Sequence, residues 1–173
     1  MCGVALTGGL ACVETPEPGA LHASAGLNAC PATPGQVMVT LVNAERRQRG
    51  LPPLAPDQRL WSAVRAQIQD VVLTGTLAHE GRDGSTPADR VTAAVLLWTS
   101  VGENLAADQV SPAETLATWM RSEPHRRNLL QPQFTSARVA MVEDTTSLST
   151  PYWAMVFAAG LEMPAPGSEP CHP

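Results

Sequence analysis

The chain has 173 residues, of which 16 are acidic and 11 are basic, so its net charge is −5. This acidic balance argues against nucleic acid as the main partner, because binding to phosphates depends on clustered basic side chains. Proline and glycine together make up roughly 17% of the chain, below the ~25–30% at which composition alone indicates disorder. A chain of this length is therefore expected to fold as one domain with a single core.

Residues 1–12 are similar to the apolar part and the cleavage end of a secretion signal, although they lack its basic start. Gly9–Cys12 is a loose match to a lipoprotein cleavage box, which leaves two interpretations of Cys12: an acylated anchor or a structural cysteine. No stretch has the ~18–20 consecutive apolar residues of a membrane span. The sequence therefore predicts a secreted or cell-surface protein without a transmembrane span, with a lipoprotein as one alternative.

The four cysteines lie in the flanks: Cys2, Cys12 and Cys30 precede the first periodic segment, and Cys171 follows the last one. No C-x-x-C pair is present, which argues against a zinc ribbon or a thioredoxin-type site. Disulfides that join the tails to the domain explain these positions better, and they imply an exported protein. Of the three connectivities, we favour a bond between Cys30 and Cys171, because Cys30 lies just before the first helix and is least exposed to removal by processing.

Three helix starts share one capping motif. In it, a serine or threonine precedes proline, and an acidic residue or glutamine follows two positions after the proline. The hydroxyl caps a backbone N–H, and proline at the first helical position needs no hydrogen bond. This capping motif occurs at Thr33–Gln36, Thr86–Asp89 and Ser111–Glu114. With Asp57 as a further cap and Gly75 as a stop, the sequence predicts helices over 34–49, 58–74, 87–95 and 112–121.

The first of these helices is expected to place Val37, Leu41 and Ala44 against the core. The basic tract Arg46–Arg49 at its end is interpreted as a solvated helix end that complements the helix dipole, rather than as an anion site. Leu51–Pro56 then forms a rigid connector. The four tryptophans occur in apolar-periodic runs and are expected in the core: Trp61, Trp98, Trp119 and Trp153.

Two strands are predicted near the end of the chain, after a short helical turn over 122–130. Residues 138–142 and 152–157 are β-rich runs separated by a polar stretch, a pattern typical of a hairpin. Helices first and strands last indicate an α+β fold in which helices cover a small, mainly antiparallel sheet.

The predicted domain occupies residues 33–160. Residues 1–32 form an N-terminal tail that is rich in alanine, glycine and proline, and residues 161–173 form a proline-rich C-terminal tail. Neither tail shows helical or strand periodicity. The residues that carry function are therefore expected between these two tails.

Two histidines and one acid inside the domain are the residues most able to carry chemistry. His79 lies in a loop rich in glycine, Glu103 lies between apolar neighbours, and His125 lies in a polar segment. Two imidazoles and a carboxylate suffice as three ligands for zinc, and they equally form an acid–base group. Their spacing matches no metal motif, so surface or core histidines are the plain alternative. No G-x-S-x-G elbow is present, so a serine hydrolase triad is not indicated.

The ordered motifs of the chain resemble the bacterial CAP (SCP-like) domain family, which belongs to the superfamily of cysteine-rich secretory, antigen 5 and pathogenesis-related 1 proteins. The resemblance covers about residues 36–158, and the ordered set is more specific than any one motif. Its elements are Leu41–Arg46, Gly50–Leu54, His79, Asp83–Pro87, Gly102–Ala106, Trp119–Met120, His125–Leu130, Phe134–Thr135 and Tyr152–Trp153.

This resemblance implies a three-layer α-β-α sandwich with helices on both faces of the sheet and a central cleft that holds a His/Glu tetrad. By motif, His79, Glu103 and His125 match three members of the tetrad, and they are the candidate catalytic and metal-binding residues. Ser122 stands where the animal members carry a second glutamate, and Glu123 is one position further on. The resemblance implies that the ligand cleft is lined by His79, Glu103, Asn104, Trp119, Ser122 and His125.

The function implied by the resemblance is that of an exported, monomeric binding domain rather than an enzyme. Its cleft is expected to take a small apolar or lipid-like ligand or a cell-envelope component, with zinc or another divalent cation at the His/Glu group. The alternative is a metal-dependent hydrolase or peptidase in which Glu103 acts as the base. A third alternative is a surface adhesion domain whose cleft is vestigial.

Overall fold

The computed structural model describes residues 31–94, 97–144 and 150–160. The four cysteines lie outside these ranges, so the disulfide and acylation predictions stay predictions. In chain order the elements are α1 (Pro34–Gln48), β1 (Ala55–Pro56), α2 (Trp61–Thr74), α3 (Pro87–Ala93), β2 (Trp98–Ala107), α4 (Pro112–Arg121), α5 (Glu123–Leu130), β3 (Ser136–Val142) and β4 (Tyr152–Gly160). None of the described helices is long and apolar enough to span a membrane.

The predicted helix starts are confirmed by their caps. Thr33 and Thr86 each form a capping box, and the Ser111 hydroxyl accepts a hydrogen bond from the amide of Glu114 at 3.2 Å. A short 3₁₀ turn capped by Asp57 precedes α2. The helix ends at Gly75, whose φ of +65° is a left-handed conformation that glycine adopts without steric cost.

The sheet has four strands in the order β1-β3-β4-β2. The predicted hairpin is confirmed, because β3 and β4 pair antiparallel, and β2 also pairs antiparallel with β4. Two strands were not predicted. β1 lies inside the expected rigid connector and pairs parallel with β3. The ten-residue β2 contains Glu103. The expectation of only two strands is therefore wrong.

Helices cover both faces of the sheet. One apolar cluster packs α1, α4 and α5 against it, and a second cluster packs α2 and α3 against the opposite face. β4 lies between the two clusters, and eight of its nine residues are buried. The α+β class and the three-layer α-β-α sandwich are thus confirmed.

The buried face of α1 differs from the prediction. Met38, Val42 and Arg46 are fully buried at i, i+4 and i+8 spacing, whereas Val37 is 36% exposed and Leu41 is only partly buried. The sequence pattern misled because an arginine occupies one position of the buried stripe. The interpretation of Arg46 as part of a solvated helix end is therefore wrong.

Arg46 is buried because its guanidinium satisfies backbone carbonyls from three segments. It donates to the carbonyl oxygens of Pro52 at 2.9 Å, Leu129 at 2.9 Å, Gln131 at 3.0 Å and Phe134 at 3.1 Å. These carbonyls belong to the connector after α1, to the end of α5 and to the entry of β3. One side chain therefore joins three parts of the fold.

Two of the four tryptophans are in the core as expected. Trp119 and Trp153 are fully buried, but Trp61 is 38% exposed and Trp98 is 36% exposed, so the core prediction is wrong for that pair. The Arg138 guanidinium lies 4.9 Å from the ring centroid of Trp61, a cation–π contact at the surface.

We expect Arg46→Lys to lower the free energy of unfolding by about 2–4 kcal/mol, because a lysine cannot reach all four carbonyls and a buried unpaired acceptor costs ~1–3 kcal/mol. The matched control is Arg47→Lys on the exposed side of the same helix, which is expected to change stability by less than about 0.5 kcal/mol. Urea unfolding of both variants measures the difference. Equal unfolding midpoints would contradict the role of Arg46.

Candidate functional site

The structure brings His79 and Glu103 together. His79 lies in the loop between α2 and α3, Glu103 lies in β2, and the His79 Nδ1 atom is 2.8 Å from Glu103 Oε1. A carboxylate accepts hydrogen bonds, so Nδ1 carries the proton of this pair. The Glu103 side chain is 1% exposed and that of His79 is 55% exposed, so the pair presents an imidazole to solvent and holds its carboxylate inside.

Arg90 is a site residue that sequence patterning did not single out. It lies on α3, its side chain is 6% exposed, and it donates to Glu103 Oε2 at 2.9 Å. The same guanidinium donates to the carbonyls of His79 at 3.0 Å and Ser85 at 2.8 Å. Arg90 therefore neutralises the buried acid and also fixes the loop that carries His79.

The loop between α2 and α3 is packed too tightly for a side chain at Gly81. A Cβ atom there would lie 2.7 Å from Ser85 Oγ, 2.9 Å from Asp83 Oδ1 and 3.0 Å from Asp70 Oδ2. Asp70 also accepts a hydrogen bond from the backbone amide of Arg82 at 2.9 Å. The loop is thus bound to α2 through Asp70 and to α3 through Arg90.

Asn128 connects α5 to the same strand. Its Nδ2 atom donates to the Glu103 carbonyl at 3.1 Å and to Asn104 Oδ1 at 2.9 Å. Asn104 in turn donates to the His125 carbonyl at 3.1 Å. Asn128 lies three positions after His125 on α5, and this helical spacing, which places both on one side of the helix, was the signal that could have found it.

His125 lies on α5, and its backbone carbonyl accepts the hydrogen bond from Asn104 of β2. Its ring centroid is 6.5 Å from that of Trp119, whose buried indole donates to the Leu105 carbonyl at 3.0 Å. Within the described residues, the buried Nδ1 atom of His125 has no hydrogen-bond partner.

Ser122 links α4 and α5, and the adjacent Glu123 is exposed and paired with Arg127 at 2.8 Å. No second carboxylate is therefore supplied by this segment.

The two histidines have opposite pKa shifts. The hydrogen bond to Glu103 raises the pKa of His79 above its ordinary value of 6.5, and this effect exceeds the opposing effect of partial burial. Burial lowers the pKa of His125, and the nearby charge of His79 lowers it further. One imidazole therefore favours the protonated form while the other favours the neutral form.

The metal-ligand prediction finds no geometric support in this arrangement. Across the ranges 31–94, 97–144 and 150–160, no three or more His, Cys, Asp or Glu side chains are grouped to hold a metal ion. Both carboxylate oxygens of Glu103 already accept charged or polar hydrogen bonds, from His79 and from Arg90. Glu103 thus does not fit as a zinc ligand in this arrangement, and the metal site stays a prediction.

A cleft of about 350 Å³ lies beside β2. Of the residues expected to line it, His79 and Glu103 do so, whereas Asn104, Trp119, Ser122 and His125 do not. The other lining residues come from the start of α3, from β2 and from α5: Thr86, Pro87, Ala88, Val101, Gly102 and Asn128.

Residues 39–157 match the cysteine-rich secretory protein family, CAP. This match spans more than half of the chain, so the chain belongs to the CAP family, and the resemblance predicted from the sequence motifs is confirmed.

Three proteins illustrate this relationship. The uncharacterized protein YkwD of Bacillus subtilis (strain 168) is 38% identical over 106 residues, which are 61% of this chain and 41% of that protein. An extracellular protein containing an SCP domain from Bacillus anthracis is 27% identical, with a TM-score of 0.63 over 76% of this chain and 45% of its own. An outer surface protein from Borrelia burgdorferi shares the fold, with a TM-score of 0.66 and 16% identity over 72% of this chain and 91% of its own. The chain thus spans less than half the length of the two Bacillus proteins.

We expect His79→Gln to raise the pKa of His125, since it removes the nearby positive charge, although the value stays below 6.5 because burial remains. In the parent chain, His79 is expected to titrate above 6.5 and His125 below it. Proton NMR titration of the imidazole signals, assigned by single variants, measures both values. An unchanged His125 titration in His79→Gln would contradict the proximity of the two rings.

The raised pKa of His79 also predicts how stability depends on pH. A raised folded-state pKa contributes stability that is fully present below the unfolded pKa near 6.5 and is lost as the pH rises through the folded value. The difference in unfolding free energy between the parent chain and His79→Gln is therefore expected to be larger at pH 5.5 than at pH 8.5. Urea unfolding at both pH values tests this, and a difference that grows with pH would refute it.

Proposed function

We infer that this chain is an exported, non-enzymatic binding domain for a small apolar or amphipathic ligand. The observation that carries this proposal is a groove of about 1040 Å³ between α2 and α3. Its apolar lining comes from Ala63, Ala66, Val72, Leu73, Ala93 and Val142, and charged and uncharged polar residues contribute the rest. An apolar cavity of about this size with a few polar groups is typical of small-molecule sites.

Arg90 relates this groove to the His/Glu pair. It is one of the groove-lining residues, and it pairs with Glu103, which lines the smaller cleft. Its Nε atom is buried and has no hydrogen-bond partner among the described residues. An amphipathic ligand with its apolar part on α2 and its polar end near Arg90 would fit this distribution of groups.

The contacts of Glu103 favour binding over hydrolysis. A general base needs an oxygen within reach of water or substrate. Glu103 Oε1 is 2.8 Å from His79 Nδ1, and Glu103 Oε2 is 2.9 Å from a guanidinium nitrogen of Arg90. The Glu103 side chain is 1% exposed. The hydrolase alternative that assigns the base to Glu103 thus gains no support from this geometry.

Export is supported by the descriptions of two relatives, one an extracellular protein of Bacillus anthracis and the other an outer surface protein of Borrelia burgdorferi. The disulfide framework expected from the four cysteines would agree with an extracellular location. Secretion or surface display, with or without a lipid anchor at Cys12, is therefore part of the proposal.

We expect Ala66→Phe to weaken the binding of a fatty-acid probe such as cis-parinaric acid by about tenfold or more, because the ring would fill the groove. Ala66 is exposed on α2, so the substitution does not disturb the core. Ala117→Phe is the matched control, since Ala117 is exposed on α4 in the other helical layer. Fluorescence titration measures all three affinities. Failure of the parent chain to bind, or equal affinities for both variants, would overturn the proposal.

The divalent cation expected at the cleft has His79 and His125 as its remaining protein donors. Catalytic zinc sites typically have three protein ligands, so we expect the purified chain to hold zinc well below one ion per molecule. Elemental analysis is the measurement, with the double variant His79→Ala/His125→Ala and the surface variant Glu123→Gln for comparison. Stoichiometric zinc that is lost only in the double variant would contradict this expectation and establish a two-histidine site.

A further inference from the structure

β2 is an edge strand of the sheet. In the order β1-β3-β4-β2 it pairs on one side with β4, and no described strand lies on its other side. An edge strand presents unpaired backbone N–H and C=O groups, which are able to pair with an added strand. The state of these outward groups therefore decides whether the edge is open.

The outward groups belong to the odd-numbered residues of β2. The Leu105 carbonyl accepts from the Trp119 indole and the Glu103 carbonyl accepts from Asn128, and both donors come from helices outside the sheet. In an antiparallel ladder, residues alternate between bonding inward and outward. Val101 therefore directs its N–H and its C=O away from β4, as Glu103 does with its N–H.

Protection of this edge is incomplete. The strand register shifts between Trp98 and Ser100, a bulge that disfavours pairing at the start of β2. Side chains cap the carbonyls of Glu103 and Leu105. Between these two protected ends, no described group bonds to the outward amide and carbonyl of Val101 or to the outward amide of Glu103.

The open segment coincides with the 350 Å³ cleft. Three consecutive strand residues, Val101, Gly102 and Glu103, contribute to its lining. The small residues Thr86–Ala88 at the start of α3 form one wall, and Asn128 contributes from α5. The cleft therefore provides space directly beside unpaired backbone groups, where helix side chains have not closed the edge.

We propose that β2 binds an extended peptide of another protein as an added strand alongside Val101–Glu103. An extended backbone presents a carbonyl and an amide with the spacing that the Val101 amide and carbonyl require, and a further carbonyl for the Glu103 amide. Lipids do not present such a repeating donor–acceptor pair. The site is distinct from the apolar groove between α2 and α3, so it goes beyond the proposed function.

The direct test uses the ¹⁵N-labelled chain and a capped hexapeptide of alternating threonine and valine. We expect this probe to shift the amide signals of Val101 and Glu103 and to slow their hydrogen exchange. A version that is N-methylated at the valines alone keeps one unblocked edge and is expected to bind with an affinity within about threefold of the parent peptide. A version that is N-methylated at every residue is expected to lose about tenfold or more, because it cannot donate to Val101.

A variant of β2 gives an independent readout. Val101→Pro removes an amide that points away from β4, so the β2–β4 ladder keeps its hydrogen bonds, and proline is tolerated at such edge positions. Val101→Ala is the matched control for loss of the side chain. We expect the proline variant to lose peptide binding about tenfold relative to the alanine variant, while both bind cis-parinaric acid as the parent chain does.

Several results would overturn the proposal. These are the absence of shifts at Val101 and Glu103 at millimolar peptide, equal binding of the fully N-methylated peptide, and equal binding by the proline and alanine variants. Should the proline variant fail to fold, the N-methylated peptides on the parent chain still decide. Protection of the Val101 amide by concentration-dependent dimerisation would assign this edge to a second copy of the chain and also overturn the proposal.

Discussion

The buried carboxylate of Glu103 is the interaction on which the site depends. An unpaired charge of this kind costs several kcal/mol inside a protein, and here Arg90 and His79 occupy one oxygen each. Arg90 also holds two carbonyls of the loop between α2 and α3. One ion-paired group thus joins that loop, α3 and β2, and both the groove and the cleft adjoin it.

The helices could be predicted from the sequence because their signals are local. A hydroxyl cap followed by proline acts within one turn, so the starts at Pro34, Pro87 and Pro112 were recognisable without tertiary information. β2 was not recognisable. Its start contains a bulge and its residues 103–106 are all buried, so the alternation that indicates a half-buried strand is missing.

The site could be predicted only in part, for a related reason. The pairing of His79 with Glu103 was implied by family resemblance and not by spacing. Arg90 reaches Glu103 across 13 positions and Asn128 reaches it across 25, distances over which periodicity carries no information. Arg46 misled in the same way, because its burial depends on carbonyls more than 80 positions away that no local pattern reveals.

The place of β4 in the sheet has a consequence for synthesis in the cell. β4 is the last of the described strands to leave the ribosome, yet it lies between β3 and β2, which have no ladder with each other. All five described helices are made before the strand that gives them a common sheet to pack on. A nascent chain therefore exposes the apolar faces of both helical layers until β4 has been made. Because transiently exposed apolar surface is prone to aggregation, the interval before β4 emerges is the stage of synthesis at which this domain is most exposed to it.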